Sequence, residues 1–239
     1  MRRAITLGII AAAMAAAGCT EARSKNGGPT VERDFKVGEF DRIELQGAYD
    51  TTVRTGSAPS VRAKGNEDAI NDLEVAVHDG KLVISHKKRN GVSWRRQGKL
   101  ELTVTVPSLR GAELAGAGDI RIDRIKGDSF EGQINGAGDL HVDTVEVGSL
   151  KLAIAGAGNA TAKGGSARTV DYGIAGAGDI HAKDVKSETA SVSVAGAGSV
   201  SANASKTASV SIMGAGSVDL TGGARCTVSK MGPGSVNCS

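Results

Sequence analysis

The tripeptide Gly-Ala-Gly recurs at residues 116–118, 136–138, 156–158, 176–178, 196–198 and 214–216, and Gly-Pro-Gly follows at 232–234. The intervals are 20, 20, 20, 20, 18 and 18 residues. A fixed period of this length marks a solenoid, in which one short unit repeats and stacks on its neighbours. Around each tripeptide, apolar residues alternate with polar ones. After it come Ile120/Ile122, Leu140/Val142, Ala160/Ala162 and Ile180/Ala182; before it come Phe130/Ile134, Leu150/Leu152/Ile154 and Val170/Tyr172/Ile174. Ile125, Val145 and Val185 form a third, weaker column. A period of two means strands with one face inward.

Two or three short strands per repeat make one rung of a parallel β-helix. Helical repeats need longer units and fewer glycines. The Leu/Asn pattern of leucine-rich repeats is absent, and the nine-residue calcium β-roll has the wrong period. The expected fold is therefore all-β: a right-handed parallel β-helix with rungs of about 18–20 residues. Rungs lie about 4.8 Å apart, and inward side chains stack into columns. Only six aromatics occur, as 3 Phe, 2 Tyr and 1 Trp, which suits a narrow bore filled by Ala, Val, Ile and Leu. Residues 111–239 carry the repeats. Residues 31–110 lack them and read as an irregular β segment that covers the N-terminal edge. Its strand-like pieces begin near Arg42, Tyr49, Ser60, Leu73, Lys81 and Leu100. His78-Asp79-Gly80 reads as a hairpin turn, and Asn66–Leu73 as one or two helical turns.

The first residues read as an address. Arg2 and Arg3 precede an apolar stretch from Ala4 to Ala15, and small residues lead to Cys19. That is a secretory signal, too short to span a membrane stably. Small residues directly before Cys19 resemble a bacterial lipobox, which implies cleavage after residue 18 and lipidation of Cys19. Residues 19–30 read as a flexible tether. No later run of apolar residues is long enough for a spanning helix. Thr20 in place of Asp favours the outer membrane or periplasm over the inner membrane. In an exported chain, Cys226 and Cys238 suggest one disulfide. Register puts both in inward columns of the last coil, where a bridge would pin its open end.

Several passages together resemble one family. They are the lipoprotein start, Phe40-Asp41-Arg42-Ile43-Glu44-Leu45, Asp79-Gly80-Lys81-Leu82-Val83-Ile84, Leu102 to Leu109 (LTVTVPSL), and the repeated Gly-Ala-Gly-Asp-Ile. This combination, over roughly residues 35–238, is similar to the head GIN domain family, described as "putative auto-transporter adhesins". The resemblance implies an extracytoplasmic β-solenoid and brings no catalytic residues.

Candidate chemistry is sparse. Asp119, Asp139 and Asp179, with Asn159 between, follow successive corners. They read either as a carboxylate ladder for Ca²⁺ or as turn residues bonding backbone. Ser199, Ser217 and Ser235 continue the column, which favours the turn reading. His141 and His181 share a column two rungs apart, too far for one metal ion. Asp123, Asp143, Lys163 and Lys183 share another, as a glycan-cleaving groove or a solvated face would. No metal site, cofactor or catalytic set is expected, and the chain is not expected to be an enzyme. His86–Lys99 (HKKRNGVSWRRQGK) holds six Lys/Arg and the only Trp. Lys87, Lys88, Arg89, Trp94, Arg95 and Arg96 are candidates for contact with an anionic surface. The functional expectation is a lipid-anchored, adhesin-like binding or structural module of the bacterial cell envelope. Its partners would be the membrane, through the anchor, and an envelope glycan or protein, with no nucleic acid. The alternatives are a polysaccharide lyase or hydrolase on the same scaffold, and an envelope stress or partner-binding sensor.

Overall fold

The protein is described by a computed structural model over residues 29–87 and 100–239. The first third supplies β1 (Thr30–Phe35), β2 (Arg42–Gly47), β3 (Asp50–Thr55), β4 (Ser60–Asn66), α1 (Glu67–Asn71), β5 (Leu73–His78), β6 (Lys81–His86) and β7 (Leu100–Val106). The repeats supply β8 (Gly111–Gly116), β9 (Asp119–Gly136), β10 (Leu140–Gly156), β11 (Asn159–Ala162), β12 (Gly165–Gly176), β13 (Asp179–His181) and β14 (Val185–Gly196). They end with β15 (Ser199–Asn203), β16 (Thr207–Gly214), β17 (Ser217–Thr221), β18 (Arg225–Met231) and β19 (Ser235–Cys238). The chain is nearly all β, coiled into a solenoid of about 6 turns.

Pairing between rungs is parallel and follows the sequence period. Ile120, Leu140, Ala160, Ile180, Val200, Val218 and Val236 stack in one column. Members from Ile120 through Val218 are buried. Phe130, Leu150, Val170, Ala190, Ala208 and Cys226 form a second column on the facing wall. The corner between the walls is the Gly-Ala-Gly. Gly136, Gly156 and Gly176 sit at φ 157°, 140° and 144°. The alanine amide of each corner donates to the preceding rung, as from Ala157 N to Gly136 O at 2.9 Å.

The first third contributes more than a cover. β2 pairs in parallel with both β6 and β8, and β3 with both β7 and β9. Gly47 stands in register with Gly116, so Gly47-Ala48-Tyr49-Asp50 is a degenerate copy of the repeat corner. The earliest rung in sequence is thus sandwiched between later ones, which the sequence period does not reveal. β1, β4 and β5 then close the N-terminal end through antiparallel pairs, from β1 to β4, β4 to β7 and β5 to β6. Antiparallel strands interrupt the parallel stack and blunt its edge. The turn at Asp79-Gly80 has φ 50° and 73°. Both central residues at positive φ make the tight primed hairpin expected of Asp-Gly. Asn66 caps α1, its side chain accepting from the amides of Asp68 and Ala69.

The C-terminal end is handled differently. Cys226 and Cys238 form a disulfide between β18 and β19, with Cα atoms 6.6 Å apart. Val228, inward by register, is 46% exposed because no rung covers it. Lys230 replaces the apolar residue of the Ile174, Val194, Ile212 column, and its ammonium donates to the Gly234 carbonyl at 2.8 Å. A charge in the last inward column discourages further strands from adding. A loop of this length is worth about 3 kcal/mol in the chain-entropy model. Replacing both cysteines by Ser should therefore fray only this rung. Hydrogen exchange at the amides of β18 and β19 should speed up by roughly 100-fold, while β10 and β12 stay protected. Unchanged exchange would show that the bridge adds nothing.

Candidate functional site

The Asp and Asn side chains behind the corners are committed to the fold. Asp139 Oδ1 accepts the amide of Asn159 at 2.9 Å, Asn159 Oδ1 that of Asp179 at 3.2 Å, and Asp179 Oδ1 that of Ser199 at 2.8 Å. Asp119 starts the ladder by accepting from Asp139 N at 3.3 Å. Each acceptor thus satisfies a donor at the corner of the next rung. These bonds follow the turn reading of the column. Among the described residues, no cluster of three or more His, Cys, Asp and Glu has metal-binding geometry.

The other outward columns also resolve into local pairs. His141 and His181 flank Thr161 in one column, so the two rings sit two strand spacings, roughly 10 Å, apart. Lys163 reaches Asp143 at 2.7 Å with both side chains more than half exposed, a pair worth less than about 1 kcal/mol. Asp123 stays exposed and turns toward the neighbouring rung. Its carboxylate accepts from the Thr55 amide at 3.0 Å and the Thr55 hydroxyl at 3.2 Å, tying β3 to β9. The four residues of this column therefore do not converge on one point.

Near the N-terminal end a cavity of about 210 Å³ opens where Gly111 leaves a gap beside Arg42, Lys81, Arg110, Glu113 and Glu131. Its charges neutralise one another. Lys81 bonds Glu44 at 2.8 Å, and Asp41 lies 3.4 Å from both Arg42 and Arg110. The Lys81 hydrogen bond holds the Glu44 carboxyl below the usual range. Close by, the Tyr49 ring fills the place that glycine holds in later corners, 5.0 Å from the His86 ring. Burial raises the Tyr49 phenol and lowers the His86 imidazole.

Of the basic stretch, Lys87 lies within the described residues, and its ammonium donates to the Asn71 carbonyl at 2.8 Å. Lys88, Arg89, Trp94, Arg95, Arg96 and Cys19 lie outside them. Among the described residues, no helix is long and apolar enough to cross a membrane.

A feature the sequence reading passed over is the outer face of β10, β12, β14, β16 and β18. Ala155, Ala175 and Ala195 are followed in one column by Met213 and Met231, 62% and 70% exposed. The signal was available: methionine at two outward positions that the three preceding repeats fill with alanine.

The family model described as "Putative auto-transporter adhesin, head GIN domain" matches residues 39–224. No curated protein matches the chain in sequence. Among solved structures, a "putative adhesin" from Bacteroides fragilis is similar, with TM-score 0.80 and 24% identity over 88% of this chain and 97% of that one. A "putative lipid binding protein" from Parabacteroides distasonis has TM-score 0.73 and 20% identity over 90% and 98%. A "putative adhesin" from the same species has TM-score 0.71 and 19% identity over 89% and 98%. At these identities the likeness shows the fold.

Proposed function

Because the chain belongs to the head GIN domain family, we propose that it is a lipid-anchored, non-catalytic, adhesin-like binding module of the bacterial cell envelope. Cys19 carries the anchor, and the solenoid is a rod whose faces hold an envelope glycan or protein through repeated weak contacts. The observation that carries this reading is the fate of the corner carboxylates. The one regular acidic column spends an oxygen on each next amide, and within residues 111–239 the rungs keep a near-constant length, with no inserted loop to wall a cleft. The basic stretch with Trp94 adds contact with an anionic lipid or glycan surface.

The test is binding without turnover. Purified protein should retain envelope polysaccharides on a glycan array, or envelope proteins on crosslinking, and release no reducing ends or unsaturated sugars. Product formation that disappears in Asp143→Ala or Lys163→Ala would replace this reading with a polysaccharide lyase. Anchoring is tested separately. Globomycin, which blocks lipoprotein signal cleavage, should cause precursor to accumulate, and Cys19→Ala should move the protein from the membrane to the soluble fraction. Normal processing under globomycin would remove the anchor from the proposal.

A further inference from the structure

Gly173 is a glycine that this fold does not require. It has no positive φ, and a Cβ built there meets nothing within 4 Å. Every Gly-Ala-Gly glycine from Gly116 through Gly216, by contrast, would put its Cβ within 3 Å of another rung's backbone. A strand interior also favours almost any residue over glycine. Something other than the fold keeps this place bare.

Its surroundings form one uncluttered plane. The outer face of β10 to β18 has three columns. One runs Lys151, Asp171, Ser191, Ser209, Thr227; the next Ala153, Gly173, Ser193, Ser211, Ser229; the third Ala155, Ala175, Ala195, Met213, Met231. A shallow cavity of about 410 Å³ lies over Ala153, Ala155, Gly173 and Ala175 at one end. Two of the three large exposed apolar side chains among the described residues, Met213 and Met231, project at the other. The opposite wall instead carries Arg121, His141, His181 and Asp219.

The pattern complements itself. A half-turn about an axis lying in the face along β14 sets a second copy against it with the solenoids antiparallel. Strand β16 then faces β12, and β18 faces β10. Met213 falls on Ala175 and Met231 on Ala155, into the hollow. Ser211 falls on Gly173. Asp171 meets Ser209, and Lys151 meets Thr227, so no charge meets a like charge. Five strands at about 4.8 Å and seven residues at about 3.3 Å give a plane of roughly 550 Å² per copy. The two copies together bury about 1,100 Å² before side-chain relief is counted, just above the roughly 1,000 Å² that a biological interface needs. Sheets stack face to face in this aligned manner when their outer residues are small enough.

We propose that this face is the interface of a homodimer of antiparallel solenoids, related by a two-fold axis along β14, with the Met213 and Met231 side chains of each copy seated in the Gly173 hollow of the other. The arrangement is isologous, so it closes at two copies and does not propagate. Light scattering on the full chain in mild detergent, with the detergent mass subtracted, should give twice the chain mass. Gly173→Arg, for which the fold has room, should halve that mass while the thermal unfolding midpoint stays within a degree or two of wild type. Met213→Glu should do the same. Ser193 lies on the axis, and face-to-face sheets stand about 10 Å apart, so Ser193→Cys should crosslink to its own copy in the partner through a bis-maleimide of about that span, in detergent and in intact membranes. A wild-type monomer, a Gly173→Arg dimer, or a Ser193→Cys protein that does not crosslink to itself each overturns the proposal. The last result, with a dimer still present, would place the interface elsewhere.

Discussion

Gly158→Ala should unfold the solenoid near its middle. Its added Cβ would lie 2.0 Å from the Gly138 carbonyl oxygen and 2.9 Å from Ile134 Cγ2. The obstacle is backbone of the preceding rung, which cannot rotate away as a side chain can. A Cβ on Gly138 would clash in the same way with the Gly118 carbonyl oxygen, and one on Gly178 with that of Gly158. A shift that relieves one corner therefore tightens the next. The spacing between rungs is fixed along the whole wall by hydrogen bonds such as Ala157 N to Gly136 O and Ala177 N to Gly156 O, both 2.9 Å. The expected cost is about 4 kcal/mol or more, the range reserved for backbone strain that structure cannot absorb. In a stack where each rung contacts only its neighbours, that loss falls on one interface. Urea denaturation followed by circular dichroism should become biphasic, with the C-terminal rungs melting first. Gly173→Ala is the control. Nothing lies within 4 Å of the new methyl, and the change should stabilise by about 0.4–1 kcal/mol by restricting the unfolded chain. A single sharp transition near the wild-type midpoint in Gly158→Ala would show that the corners have slack, and the reading of Gly-Ala-Gly as a contact motif would fail.

That contrast between two glycines shows what the sequence could and could not tell. Period alone placed the corners and the inward columns, because a strand side chain has two choices of face and a repeat fixes which, while the cysteine pair also needed the exported setting that the first residues imply. The stack Ile120, Leu140, Ala160, Ile180 and the Cys226–Cys238 bridge are direct consequences. The rung of β2 and β3 was hidden for a physical reason. Its corner reads Gly47-Ala48-Tyr49, so the second glycine that marks the repeat is missing and a tyrosine ring, packed 5.0 Å from His86, takes its place. Its neighbours in space, β6 and β8, lie about 40 and 70 residues further along the chain. Periodicity reports only neighbours that follow one another in sequence. The Asp ladder could be read either way until its bonds were seen, because the same carboxylate spacing serves a cation or a backbone amide. The Met213 and Met231 face is legible only as an exception, because the repeat constrains what points inward and leaves outward positions free.

Phe130→Ala should be nearly as damaging as the corner substitution, for a reason that involves Gly132. The bore is narrow, so volume is shared between columns. Gly132 sits between Ala112 and Leu152 in its own column. A Cβ there would lie 2.6 Å from Leu140 Cδ2, 2.9 Å from Leu152 Cδ2 and 3.3 Å from Phe130 Cε1. The large ring and the missing side chain are therefore one packing solution. One rung on, the balance has moved, with Leu150 and Leu152 side by side. In the next, Tyr172 is the large residue, with Ala160 and Ala162 on the opposite wall, all buried. Phe130 is 1% exposed, and removing its ring costs about 3–5 kcal/mol in lost transfer energy and residual cavity. Gly132→Ala alone should cost about 1–3 kcal/mol by overpacking, although a strand otherwise prefers alanine. Joined to Phe130→Leu, the same alanine gains space, so the double variant should be more stable than the sum of the single effects by about 0.5–1.5 kcal/mol. Denaturant midpoints of the wild type, the two single variants and the pair measure the coupling directly. Strict additivity would mean that the ring and the glycine do not share their volume, and that the bore tolerates each substitution independently.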